Sequence, residues 1–109
     1  MLNQVVLVGR LVREPELQKS ENNKQYMIVT LAVPRSFKNS SGEYETDFVD
    51  CILWEGVAKS TCSYCHKGDI VGVKGRIQTR AVEQDDKSKK YFTDIIAERV
   101  TFLSNKSKE

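Results

Sequence analysis

Residues 44–54 read Tyr-Glu-Thr-Asp-Phe-Val-Asp-Cys-Ile-Leu-Trp, residues 56–67 read Gly-Val-Ala-Lys-Ser-Thr-Cys-Ser-Tyr-Cys-His-Lys, and residues 69–82 read Asp-Ile-Val-Gly-Val-Lys-Gly-Arg-Ile-Gln-Thr-Arg-Ala-Val. The first stretch alternates, with Val49, Cys51 and Leu53 on one side, as a half-buried strand requires. In the second, Ala58, Cys62 and Cys65 recur at i, i+4 and i+7, one stripe of a helix. Gly68 suits the residue after a helix end, and Lys67 suits the negative end of its dipole. The third stretch returns to period two. A strand, a helix over 56–67 and a strand are therefore expected in that order.

Working outward, Leu2 to Arg13 is rich in Val and Leu, and Gly9 inside it suggests a bulge or bend. Glu14-Pro15-Glu16 breaks this first strand. Tyr26 to Arg35 is a second strand, and residues 36–43 read as a hairpin loop. The charged segment 83–90 is a loop before a last strand, Tyr91 to Leu103. No repeat or low-complexity tract interrupts the pattern. The expected fold is all-β: a five-stranded OB-fold barrel with one α-helix between the third and fourth strands. Residues 1–103 form the domain and 104–109 a short polar tail, expected to fray. OB-folds commonly bind oligonucleotides, but strand order alone says little about function.

The composition narrows the classes. At 109 residues and 12.4 kDa the chain makes one domain. Lys+Arg 17 against Asp+Glu 15 leaves a net charge of +2, which excludes a polycationic binder. Any nucleic-acid site must concentrate its charge on one face. The longest apolar run, Val5-Val6-Leu7-Val8, is far too short to span a membrane. Met1-Leu2-Asn3-Gln4 runs straight into it, so no signal peptide and a cytoplasmic location are expected. Three cysteines, an odd number, agree with a reducing compartment.

Alternation sorts the faces. Opposite Val49, Cys51 and Leu53, the same strand carries Phe48, Asp50, Ile52 and Trp54. In the next strand Val71, Val73, Gly75 and Ile77 are expected to face inward, with Lys74, Arg76, Gln78 and Arg80 opposite. Phe37 adds an aromatic in the loop, flanked by Arg35 and Lys38, and Arg10 lies near the end of the first strand. Tyr91 sits beside Lys89 and Lys90. Aromatic side chains beside a basic groove suit single-stranded nucleic acid, because every base has a π-face to stack. The same pattern also fits an interface with another subunit. The remaining aromatics, Tyr26 and Phe92 among them, read as core or rim. Leu2, Val6 and Val8 are apolar opposite Val5 and Leu7, and a strand apolar on both sides needs cover on both, as between subunits.

Cys62-Ser63-Tyr64-Cys65-His66 matches the C-x-x-C-H haem-attachment pattern. On the expected helix both cysteines lie on the apolar stripe, where cysteine behaves as a small hydrophobe. His66 is a polar residue of the last helical turn. No cofactor and no metal site are expected. One histidine, no phosphate loop and no paired carboxylates argue against an enzyme.

The chain resembles bacterial-type single-stranded DNA-binding proteins (SSB). The matching segments are Asn3 to Leu11, Thr30 to Val33, Arg35 to Lys38, Thr46 to Phe48, Leu53-Trp54, Tyr64 to Gly68 and Val73 to Arg80, continuing to Tyr91. The resemblance implies a homotetramer with single-stranded DNA wrapped over it and bases stacked at Phe37, Phe48 and Trp54. It implies sequence-independent binding and protection of that DNA in replication, recombination, repair or DNA uptake. An RNA-binding or protein-docking OB-fold subunit is the alternative. The family often has a tryptophan where this chain has Val82. Its members usually end in a tail with an acidic tip, whereas this chain stops at Ser107-Lys108-Glu109. It thus resembles a short form, and protein partners of such a tail are not expected.

Overall fold

The computed structural model describes residues 1–105. Its elements are β1 (Val5–Leu11), β2 (Gln18–Lys19), β3 (Gln25–Lys38), β4 (Tyr44–Trp54), α1 (Glu55–Tyr64), β5 (Ile70–Glu83) and β6 (Lys89–Ser104). Pairing runs β1-β5-β6-β4-β3, and β3 returns to β1 through Arg10 with Ala32 and Leu11 with Leu31. Five strands thus close into the OB-fold barrel expected from the strand order. Two-residue β2, which the alternation does not announce, adds to the outer edge of β3. Counting it, the helix falls between β4 and β5. Residues 106–109, most of the expected polar tail, lie outside the described residues, and Ser104 belongs to β6.

The core is the inward half of each alternation. Leu11, Met27, Leu31, Cys51, Leu53, Val71 and Val73 are almost wholly buried inside the barrel. Ala58 and Cys65 pack on this cluster from the helical segment. Burial at this level contributes about 1.5–3 kcal/mol for each large side chain.

Several boundaries differ from expectation, each for a physical reason. β1 starts at Val5 rather than Leu2 because Asn3 pairs through its side chain. Its amide Nδ2 donates to the Ile77 carbonyl (2.7 Å), and its Oδ1 accepts from the Ile77 N–H (2.9 Å). Gly9 is not a bulge: β1 and β5 stay in register from Val5 to Arg10. It is a close approach, since a Cβ there would lie 2.8 Å from the Ala32 carbonyl oxygen. The irregularities fall instead in the β5–β6 ladder, at Ile70/Val71 and Lys74/Gly75, and in the β3–β4 ladder between Pro34 and Lys38.

The helix ends at Tyr64, three residues short of the expected Lys67. Cys65 is extended, and residues 66–69 make a turn closed by the Asp69 N–H to the His66 carbonyl (3.0 Å). Gly68 at φ 91° belongs to that turn and is not the helix cap. The turn is tied to β1: the Gly68 N–H donates to Leu11, and the Leu11 N–H donates to Asp69. These long-range bonds override the helical pattern, so Lys67 and His66 lie outside the helix. The buried helical residues are Ala58 and Thr61, while Cys62 is half-buried. Ile77, expected inside, is 45% exposed, because β5 from there to Glu83 runs past the barrel as a ribbon with β6.

Candidate nucleic-acid interface

Side chains of directly paired residues share one face of a sheet. Across β3 and β4 these pairs are Tyr26 with Trp54, Ile28 with Ile52, Thr30 with Asp50 and Ala32 with Phe48. Ile52 pairs with Ile96 of β6, and Ile96 pairs with Arg76 of β5. The row Ile28, Ile52, Ile96, Arg76 therefore crosses the outer face of four strands. The aromatic face of β4 and the cationic face of β5 are one continuous surface. β6 separates them, although β5 follows β4 in the chain.

The aromatic half is open. Phe48 is 68% exposed and Phe37 is 63% exposed. Phe37 lies within β3 rather than in the loop, inside the register irregularity between Pro34 and Lys38, where it has no cross-strand partner on β4. Trp54 is braced by Tyr26, with ring centroids 5.3 Å apart and planes tilted by 38°. The Tyr26 hydroxyl in turn meets Gln18 Oε1 at 3.1 Å. Tyr26 is thus part of this surface, a role that alternation within one strand cannot reveal without the β3–β4 register.

The cations divide into committed and uncommitted ones. Arg35 is held by Glu45 (2.6 Å) and Asp47 (2.9 Å). Its hydrogen bond and charge pairing with Asp47 raise the guanidinium pKa, and the same hydrogen bond lowers that of the Asp47 carboxyl. Arg80 Nε donates to Asp94 (2.8 Å), and its Cζ stands 4.5 Å over the Phe92 ring. Lys90 approaches the same ring at 5.3 Å. Arg10 Nη1 donates to the Gly68 carbonyl (2.8 Å), fastening β1 to the 66–69 turn. Lys38 lies 5.7 Å over Tyr44. Arg76 meets only the neutral Gln78 (3.1 Å), and exposed Lys74 has no ion-pair partner among the described residues. Tyr91 pairs with Ala81, while Phe92 pairs with Arg80, so Tyr91 alternates to the opposite face of the ribbon.

Residues 2–103 match the Single-strand binding protein family. This chain belongs to that family. It is 49% identical over 109 residues to single-stranded DNA-binding protein B of Bacillus subtilis, covering 100% of this chain and 96% of that protein. It is 45% identical over 106 residues to single-stranded DNA-binding protein 3 of Listeria innocua, covering 97% of this chain and 66% of the relative. The single-stranded DNA-binding protein of Halalkalibacterium halodurans is 46% identical over 103 residues, 94% of this chain and 61% of that one. Proteins of this family are binders rather than enzymes, and this chain is no enzyme.

The cysteine motif of this single-strand binding family member is dispersed by the fold. Burial pushes the Cys51 thiol up to about 11 and also raises that of Cys65. Cys62 Sγ lies 3.7 Å from the Pro15 carbonyl. His66 Nδ1 stands 2.7 Å from Glu14 Oε1, and the Lys67 N–H donates to the other Glu14 oxygen (3.0 Å). Among the described residues no group of three or more His, Cys, Asp or Glu is placed to hold a metal. No described helix is long and apolar enough to cross a membrane.

Proposed function

We propose that this chain binds single-stranded DNA on the outer face of β3, β4, β6 and β5. Bases stack on Phe37, Phe48 and Trp54, and phosphates are neutralised by Lys38, Lys74 and Arg76. The observation that carries this reading is the continuity of the exposed aromatic and cationic halves on one face. Stacking and phosphate contacts are tolerant of sequence, so the strand is held and protected whatever it encodes. Arg10, Arg35 and Arg80 act mainly by shaping the surface, since each already has a partner. Tyr91 serves a strand that passes around the end of the β5–β6 ribbon.

The binding unit is a homotetramer in the cytoplasm, serving replication, recombination, repair or DNA uptake. The support for assembly is the exposed apolar side chains of Leu2, which precedes β1, and of Val6 and Val8 on β1. Titrating Trp54 fluorescence with oligo(dT) tests the site, because Trp54 is the only tryptophan. Saturable quenching by DNA, weaker with RNA of equal length, is expected. No change with DNA, or tighter binding of the RNA, would overturn the reading.

A further inference from the structure

β4 carries an acid among its stacking side chains. Asp50 is exposed on the outer face, between Phe48 and Trp54 along the strand. A carboxylate on a surface that must attract a polyanion weakens general attraction unless it meets a donor. This one is held in place. Thr30 Oγ1 donates to Asp50 Oδ1 at 2.5 Å, and Arg13 Nη2 donates to Thr30 Oγ1 at 2.5 Å. Thr30 is only 8% exposed, and its single hydroxyl proton is directed at Asp50. Asp50 Oδ2 accepts no hydrogen bond among the described residues. An ionised carboxylate has about four acceptor sites, so both oxygens keep capacity for a ligand. Thr30 and Arg13 also line a cavity of about 410 Å³, together with Glu14, Pro15, Glu16 and Ile28.

A single strand leaves its Watson–Crick edges open, and these edges can be read by hydrogen bonds. Two adjacent donors, N1–H and N2–H₂, occur on that edge only in guanine. Cytosine and adenine each offer one amino group beside a ring-nitrogen acceptor. Thymine offers N3–H between two carbonyls, which repel a carboxylate.

We propose that Asp50, positioned by Thr30 and Arg13, is a base-reading site that accepts the Watson–Crick edge of guanine in a strand lying on this face. The inference rests on the face being the single-stranded DNA surface. It adds a local preference to binding that is otherwise indifferent to sequence. Asp50 touches the base, while Thr30 and Arg13 are positioning residues.

The test uses the full chain and three oligonucleotides of equal length. These are oligo(dT), the same strand with isolated guanines, and the same strand with inosine at those positions. Inosine keeps N1–H and lacks the N2 amino group. The guanine strand should bind about fivefold more tightly than oligo(dT), the low end for a bidentate base contact. Inosine should lose most of that gain. Asp50→Asn should abolish the preference while oligo(dT) affinity holds or improves. Thr30→Val, which cuts the relay and keeps the carboxylate, should reduce the preference without weakening oligo(dT). Equal affinities for guanine and thymidine strands in the wild type would overturn the proposal. So would equal gains from guanine and inosine, or a preference that survives in Asp50→Asn. Loss of binding to all three strands would instead overturn the single-stranded DNA reading itself, and this inference with it.

Discussion

Salt titration of four single variants separates cations that meet phosphate from cations that shape the surface. In the single-strand limit, each neutralised phosphate contributes about 0.7 to the slope of log K against log salt. Lys74 has no ion-pair partner among the described residues and Arg76 only a neutral one. Lys74→Ala and Arg76→Ala should each flatten the slope by about 0.7, and the double variant by about 1.4. Arg80 is already paired with Asp94, and Arg35 with Asp47 and Glu45. Arg80→Ala and Arg35→Ala should lower affinity with far smaller changes of slope. The reciprocal change should free a cation: Glu45→Gln with Asp47→Asn releases Arg35 and should steepen the slope by up to about 0.7. The assay is anisotropy of a labelled oligo(dT) across a range of salt concentrations, with equal losses expected on mixed sequence. Arg35→Ala or Arg80→Ala flattening the slope as much as Lys74→Ala would refute the reasoning, because a guanidinium bound to carboxylates would then be releasing counterions.

Other outcomes follow from the same contacts. Phe48→Ala or Trp54→Ala should each weaken oligo(dT) binding by about 1–3 kcal/mol per affected base, read by anisotropy, with assembly unchanged by light scattering. Gly75→Ala should destabilise by about 1–3 kcal/mol or more, because its Cβ would lie 2.1 Å from the Ile96 carbonyl oxygen. Thermal melting should show the drop, roughly 4–8 °C per kcal/mol for a domain near this size. With an aromatic disulfide reagent at neutral pH, half-buried Cys62 should react first, and Cys51 and Cys65 only on unfolding. Burial raises both of those thiol pKa values, so the reactive thiolate forms only at higher pH.

The barrel was legible because Val49, Cys51 and Leu53, like Val71 and Val73, recur with period two along their strands. The strand order then left few topologies. What escaped depends on register between strands, which the pattern along any one strand does not record. No local pattern places Tyr26 against Trp54 or Asp47 against Arg35, because each contact spans the β3–β4 hairpin. The helix end was misplaced for a related reason. Ala58, Cys62 and Cys65 keep helical spacing, yet the hydrogen bonds from the Gly68 N–H to the Leu11 carbonyl and from the Leu11 N–H to the Asp69 carbonyl pull the chain out of the helix. The aromatic and basic side chains were visible one strand at a time, but their union on one face required β6 between them.

The barrel consists of two long antiparallel ladders, β3 with β4 and β5 with β6, joined on one side through β1, which pairs with β5 from Val5 to Arg10, and on the other by a brief contact of β4 with β6. One join is parallel and rests on Cys51 with Ile95 and Ile52 with Ile96. It lies between the aromatic half and the cationic half of the outer face. Short joins of this kind open at lower free energy than the ladders beside them, so their amides exchange with solvent first. On the proposed path, a strand of DNA bound to both halves would span this join and hold it shut. Protection from hydrogen exchange at Cys51, Ile52, Ile95 and Ile96 then becomes a measure of whether one strand engages both halves at once.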